Sequence, residues 1–179
     1  MLSAAEFVHS GLTGLHRSLD KALGDLTPEQ LHAVPGGPAS KANTIAWGLW
    51  HLVRTEDNVV RFVVQGRRTP VWVEGGYAAK LGLPEVAQGT GMSTADAQAL
   101  RIKDVALFKE YMQKVWASTE DFLGKVDPAE LEKTVTVKPL GDMLAIQAIG
   151  RICLTHGMTH FGEIELGRTL VGAGPTISV

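Results

Sequence analysis

The sequence is poor in cysteine and in charge of one sign, and each shortage excludes a class of protein. A single cysteine, Cys153, rules out an internal disulfide bond. The 17 Lys and Arg residues nearly balance the 19 Asp and Glu residues, giving a formal net charge of −2. No basic block extends beyond Arg67 and Arg68. This balance excludes nucleic acid as an expected partner.

Long apolar runs and export signals are also lacking. The longest apolar stretches, such as IAWGLWHLV, are interrupted too soon to span a bilayer. The first residues, MLSAAEFVHSGLTG, have neither the basic region nor the long apolar run of a signal peptide. We therefore expect a cytoplasmic protein with no membrane partner. A chain of 179 residues fits one domain, over 1–179.

Helical periodicity dominates what is present. Apolar residues recur at helical spacing in four stretches, which predict helices at 3–26, 44–64, 94–126 and 149–170. Ser3 with Glu6 forms a capping box at the start of the first helix. Asn43 is the expected N-cap of the second helix. Four helices of these lengths predict an all-α bundle.

Shorter features separate these helices. Single helical turns are expected after Thr27 and around Leu131. Thr134–Val137 alternates Thr and Val, which predicts an extended segment, and Gly141 then precedes the fourth helix. Residues 65–94 have no periodicity and are long for a connection. Such a segment is a crossover along the bundle, a wall of a binding pocket, or both, and a crossover there would place helices two and three parallel.

The fourth helix has an unusual polar stripe. Its 3.6-residue period puts one set of residues on one narrow face: Ile149, Cys153, His156, His160, Glu163 and Gly167. Two histidines one turn apart commonly bind the same transition-metal ion. A third ligand is needed, and the candidate is His51 in helix two, whose face carries small and polar residues such as Gly48 and Thr55. The alternative for His51 is a buried, hydrogen-bonded histidine.

Several neighbours of these histidines have two interpretations. Cys153 is either a fourth ligand or reactive thiol, or a buried residue that packs as a small apolar side chain. Glu163 either orients a ligand, accepts a proton or contacts water at the metal, or is a surface carboxylate that is paired with Arg168 or solvated. Arg54 and Asp57 either bind an anionic substrate group or form a salt bridge between helices.

The remaining histidines and the tryptophans are expected to be structural. His9 and His16 are predicted to be partly exposed on the first helix. Trp47, Trp50 and Trp72 are predicted to lie in the core or at a subunit contact, with the lip of an apolar pocket as the alternative.

The sequence resembles the DinB-like superfamily of bacterial four-helix-bundle proteins, which have one histidine inside helix two and a His-x3-His motif in helix four. Here the motifs are TIAWGLWHLVRTED around His51 and HGMTHFGEI, which contains His156 and His160. The turns LTPEQL and VDPAEL also match. The resemblance implies an up-down-down-up bundle in which the three histidines bind one divalent metal ion, commonly zinc or nickel and in some branches iron. Glu163 stands where many relatives have Gln.

The resemblance also indicates a reaction. Characterised relatives include metal-dependent transferases that join low-molecular-weight thiols to electrophiles, and a thiol-dependent maleylpyruvate isomerase. Three neutral imidazoles leave coordination positions open, which is typical of catalytic sites. We expect a thiol transferase or a hydrolase acting on a small molecule, with Glu163 as a catalytic residue. The alternative is a non-catalytic protein that binds a metal or small ligand. Relatives often form dimers, so a homodimer is implied.

Overall fold

The computed structural model describes residues 2–177, and most of them are helical. The first part of the chain contains α1 (Ala4–Gly24), α2 (Pro28–His32), α3 (Ile45–Asp57) and a π-helical segment, π1 (Asn58–Val64). The middle part contains α4 (Val71–Glu74), α5 (Tyr77–Leu81), α6 (Thr94–Ala99) and α7 (Val105–Lys125). The last part contains α8 (Pro128–Leu131), β1 (Thr134–Val137), β2 (Gly141–Leu144), α9 (Ala145–Ala148), a second π-helical segment, π2 (Ile149–Thr155), and α10 (His156–Leu170).

Four long helical segments surround one core. Both α1 and α3 pack against α7 and against α10. Side chains that are almost completely buried, among them Leu12, Trp50, Phe108 and Ile149, fill the space between them. The predicted all-α class is therefore confirmed. Among residues 2–177, no helix is both long enough and apolar enough to cross a membrane.

Local signals fixed the helix starts, although not always at the predicted residue. Ser3 caps α1 and forms the predicted capping box with Glu6. The second long helix is capped by Thr44, whose hydroxyl accepts a hydrogen bond from Trp47 N at 3.2 Å. The prediction of Asn43 as this cap was wrong by one residue.

The predicted helix at 94–126 is two helices. Leu100 leaves the helical region with ψ 134°, which ends α6. The carboxylate of Asp104 then accepts a hydrogen bond from Leu107 N at 2.9 Å and starts α7. Leu100 and Ile102, both buried, hold the extended break against the core. Burial of this apolar pair outweighed the helical propensity of the surrounding residues.

The crossover at 65–94 is partly helical, because α4 and α5 lie within it. Its predicted anchors, Trp72 and Tyr77, are buried. The predicted extended segment Thr134–Val137 is strand β1, and it pairs antiparallel with β2. Gly141 begins β2 and does not immediately precede the fourth helix, which starts at Ala145.

The second and fourth long helices each contain a π-helical segment. At the end of π1, the backbone N–H groups of Gln65 and Arg67 donate to carbonyls five residues earlier, those of Val60 at 3.2 Å and Phe62 at 2.8 Å. In π2 the N–H of His156 donates to the carbonyl of Arg151. Such segments are rare and often occur at functional sites. Here π1 and π2 contact each other, directly beside the predicted histidine ligands.

Candidate metal centre

The structure brings the three predicted histidines together. His51 lies on α3, and His156 and His160 lie on the first two turns of α10. One ring nitrogen from each histidine lies within 4.8 Å of the other two. The helices approach closely because α3 has no side chain at Gly48, where a Cβ atom would lie 3.3 Å from Ile164. Gly48 therefore makes room for the facing helix.

Each histidine has its Nδ1 atom beside a hydrogen-bond acceptor. The acceptor is the carbonyl of Gln88 for His51, the carbonyl of Ile152 at 3.2 Å for His156, and the carboxylate of Glu163 at 2.7 Å for His160. An acceptor at Nδ1 requires the proton on that nitrogen in the neutral ring. In the neutral ring of each histidine, Nε2 is therefore left with a free lone pair.

Burial keeps the imidazoles in the neutral form that a metal needs. Burial lowers the pKa of His51 to about 4, against the opposing effect of the hydrogen bond to Gln88. Burial also lowers the pKa of His156, and neighbouring His160 adds to this. Both rings are consequently neutral at pH 7, and protons compete little for their Nε2 atoms.

The donor arrangement fits a divalent ion. The Nε2 atoms of His156 and His160 are 3.0 Å apart, and when both rings are neutral with the proton on Nδ1, neither Nε2 has a hydrogen to share. Two lone pairs facing each other repel unless a cation or a proton lies between them. Imidazole nitrogens bind zinc at about 2.0–2.1 Å, so two of them on one ion lie about 3 Å apart. The residues present thus suit a three-imidazole site for an ion such as zinc, nickel or iron.

Aromatic and backbone groups enclose His51. The ring of Trp47 stacks on the His51 ring, with centroids 4.8 Å apart and planes inclined by 13°. Gly89 lies so close that a Cβ atom would be 3.0 Å from His51 Nδ1. His51 and His156 border a cleft of about 1060 Å³ between π1, π2 and β1. His160 and Glu163 border a separate cavity of about 270 Å³.

Comparison with known proteins agrees with this geometry. The profile of the DinB superfamily matches residues 12–164, which include all three histidines. The chain belongs to the DinB superfamily. The family expected from the histidine motifs is confirmed.

The bundle of this DinB-superfamily protein is similar to a solved structure. A conserved protein from Enterococcus faecalis superposes with a TM-score of 0.78, over 96% of this chain and 99% of that chain. The two sequences are 16% identical, so the likeness concerns the fold alone. No curated protein sequence matches significantly.

Cys153 is not part of the histidine cluster of this DinB-superfamily protein. Within the described residues, the clustered metal-ligating groups are the three histidines alone. Cys153 is buried, and burial raises the pKa of its thiol well above the usual value, with a further contribution from Glu56. It therefore fills the core as a small apolar residue, which was one of its two predicted roles.

Arg54 and Asp57 contact the crossover, and within residues 2–177 neither forms the salt bridge between helices that was one of their predicted roles. The guanidinium of Arg54 donates to the carbonyl of Glu85 at 3.2 Å and stacks over the ring of Trp72. The carboxylate of Asp57 accepts from Val71 N and Trp72 N at 2.8 Å and 2.9 Å. Both side chains attach the crossover to α3. Helical periodicity could not predict these contacts, because the partner residues lie in the crossover, which has no periodicity.

His16 is buried, so its prediction as a partly exposed residue was wrong. Its two ring nitrogens contact the carboxylates of Glu56 at 3.1 Å and Glu120 at 2.7 Å. Its ring also stacks on Trp116, with centroids 5.1 Å apart. His9 is only partly buried, as predicted.

The crossover was predicted to run along the bundle, to form a pocket wall, or both, and its residues do border the site, but sequence reasoning did not identify which of them contact His51. The carbonyl of Gln88 holds His51, and Gly89 permits this approach with φ 97°, a backbone conformation that favours glycine. The only signal was a glycine within an irregular segment, which by itself indicates a turn.

Proposed function

We propose that this protein binds one divalent metal ion through His51, His156 and His160 and catalyses the transfer of a low-molecular-weight thiol to a small electrophile. The observation that carries the proposal is the convergence of three Nε2 lone pairs, each fixed by an acceptor at Nδ1. Zinc or nickel suits this donor set best, and iron is the third candidate.

The proposed chemistry divides between the ion and the chain. A divalent ion with open coordination positions lowers the pKa of a coordinated thiol or water, which supplies a nucleophile near neutral pH. The chain holds the three imidazoles in the ligating tautomer and covers one face of His51 with Trp47. Glu163 was predicted as catalytic. We assign it the positioning of His160, because it contacts His160 Nδ1 and faces the smaller cavity.

Thiol transfer suits the site better than hydrolysis. A hydrolase generally needs a general base near the reacting water. Among the described residues that line the large cleft, Glu130 is the only carboxylate, and it pairs with Lys133 at 2.5 Å. A thiol has an ordinary pKa of about 8.5, against about 15.7 for water, so a coordinated thiol releases its proton to the solvent more readily and depends less on a neighbouring base. The up-down-down-up helix order, the homodimer and the cytoplasmic location belong to this proposal as expectations.

The first test is the metal content of the protein purified without a tag. We expect about one equivalent of zinc, nickel or iron by elemental mass spectrometry, and its loss in His51→Ala and in His160→Ala, since each variant removes one of three ligands. His9→Ala is the matched control, because His9 lies outside the cluster and should leave the metal content unchanged. Equal metal in wild type and His51→Ala, or none after reconstitution, would contradict the site.

A screen for turnover then separates the enzyme from a binding protein. The metal-loaded protein is incubated with bacterial thiols and a chromogenic electrophile, and product is followed against the His160→Ala variant. Turnover that depends on both thiol and metal supports the transferase. Metal binding without turnover for any thiol favours the non-catalytic alternative.

A further inference from the structure

The large cleft beside His51 and His156 has cationic side chains that the proposed function does not use. We propose that this cleft binds a small organic anion, a carboxylate with an apolar body, through Arg67, Lys138 and Arg151. This inference rests on the proposed function in one respect: the reacting end of the bound molecule lies toward the three histidines.

The cleft has the size and the position of a substrate site. Its volume is about 1060 Å³, and ligand sites commonly measure about 300–1,000 Å³. Its walls are π1, π2 and the hairpin strand β1, and His51 and His156 are among its lining residues. A molecule bound there therefore lies beside two of the three predicted ligands.

Most of the charged side chains that line the cleft are positive. Arg67, Lys138 and Arg151 line the cleft, and within residues 2–177 none of them has a carboxylate in ion-pair distance. The cleft's other cation, Lys133, already pairs with Glu130. The protein as a whole carries a net charge of −2, so this excess of positive charge is local. Unpaired cations around a concave site attract anions and hold carboxylates through charge-assisted hydrogen bonds.

Two further observations indicate a ligand at this place. Thr55, one turn after His51, lines the cleft, and its buried hydroxyl has no hydrogen-bond partner among the described residues. Buried polar groups are normally paired, so a ligand atom is a natural partner. Arg67 adopts φ 69°, which is uncommon for a residue with a side chain and is associated with functional sites.

Apolar side chains define the kind of anion. Phe62, Val135 and Val137 line the cleft together with the cations, and Phe62 is 43% exposed. An inorganic ion would leave this surface in contact with water. A compound with a carboxylate at one end and a short apolar body covers it, which adds hydrophobic stabilisation to the charge contacts.

The test compares two probes that differ in charge alone. 3-Mercaptopropionate and 3-mercaptopropanamide have the same thiol and nearly the same size. Each is titrated into ¹⁵N-labelled protein, zinc-loaded and metal-free, and the dissociation constant is obtained from the backbone amide shifts of cleft residues. We expect the carboxylate to bind about tenfold more tightly than the amide in both forms, because a charge-assisted contact is stronger than a neutral one.

Charge-removing variants locate the contact. Lys138→Gln/Arg151→Gln should remove most of the preference for the carboxylate, because only Arg67 of the three cations remains, while the affinity for the amide stays unchanged. The matched control is Arg68→Gln/Lys125→Gln, which removes the same charge at exposed positions outside the cleft lining and should keep the preference. Thr55→Val should weaken binding of both probes, since it replaces the unpaired hydroxyl with a methyl group of similar size.

The outcomes separate this inference from the proposed function. Equal affinity for the two probes, or a preference that is undiminished in Lys138→Gln/Arg151→Gln, overturns the anion site. Inorganic phosphate that shifts the same resonances as strongly as 3-mercaptopropionate overturns the organic-anion assignment. Failure to take up zinc overturns the metal site alone. The titration of metal-free protein still measures whether the cleft binds 3-mercaptopropionate more tightly than 3-mercaptopropanamide.

Discussion

Histidines in this small core have opposite electrostatic environments. His51 contacts a backbone carbonyl, and burial lowers its pKa to about 4. Burial by itself also lowers the pKa of His16, but the carboxylates of Glu56 and Glu120 outweigh this effect and raise the pKa above its usual value. The type of partner, rather than the depth of burial, decides the direction of the pKa shift. A histidine with a lowered pKa suits a metal ligand, and one with a raised pKa suits a structural ion pair.

The pH dependence of stability tests this assignment at His16. A raised pKa in the folded state means that protonated His16 stabilises the fold fully below the unfolded pKa of about 6.5, and that this stabilisation is lost as pH rises through the folded-state pKa. We expect His16→Gln to lower the free energy of unfolding by roughly 2 kcal/mol at pH 6, and by less as pH increases to 9.

Urea denaturation of metal-free protein at several pH values measures this difference. His9→Gln is the control, because His9 lies on the same helix without these carboxylate contacts, and its difference from wild type should not vary with pH. A His16→Gln difference that stays constant or grows with pH would show that His16 is neutral in the folded protein.

The crossover is the element that completes the site. It lies between α3 and α7 in the sequence, yet its residues 85–89 return to α3 and contact Arg54, His51 and Trp47. This position explains why a segment without periodicity is nevertheless ordered. Backbone groups of the crossover form hydrogen bonds with side chains of α3, whereas the backbone groups of a helix or strand bond to other backbone groups.

Two glycines of the crossover allow a direct test of this contact. Gly89 has φ 97° and touches His51 and Trp47, whereas Gly91 has φ 75° and no atom within 4 Å of where its Cβ would lie. Gly91→Ala should destabilise the protein by about 1 kcal/mol through backbone strain alone. Gly89→Ala should destabilise it more and should also weaken zinc binding, because the methyl group displaces the His51 ring.

Thermal unfolding and zinc competition with a chelating indicator measure both effects. Equal losses of stability and equal zinc affinity in the two variants would show that the approach of Gly89 to His51 has no role at the site.

The π-helical segments explain one element-scale difference between sequence and structure. A strict 3.6-residue period places Cys153 on the face of His156, but π2 extends from Ile149 to Thr155 and changes the phase of the helix. Cys153 is buried beside Glu56 and lies outside the histidine cluster. Arg151, also in π2, lines the cleft.

At the scale of the whole molecule, a ligand that binds only the folded state raises stability by mass action. Zinc at a thousand times its dissociation constant adds about 4.1 kcal/mol. For a chain of this size, each kcal/mol shifts the unfolding temperature by about 2–4 °C. We therefore expect zinc to raise the unfolding temperature of wild type by on the order of 10 °C. Calorimetry should show no such gain for His51→Ala and the full gain for His9→Ala; a comparable gain in His51→Ala would place the zinc elsewhere.

The sequence by itself determined the family, the all-α class and the three histidines that come together. These features depend on local or periodic patterns: the spacing of His156 and His160, the position of His51 within its helix, and the Ser3 cap. Such patterns act within a few turns of one helix, so they can be read without the fold.

Only the tertiary structure decided what surrounds those histidines. Gln88 beside His51, Glu120 beside His16 and the cations of the cleft come from segments far apart in the chain, and packing alone sets their distances. Because the pKa of a buried group depends on its partners, the charge states of His16 and His51 were undetermined until the helices were in place.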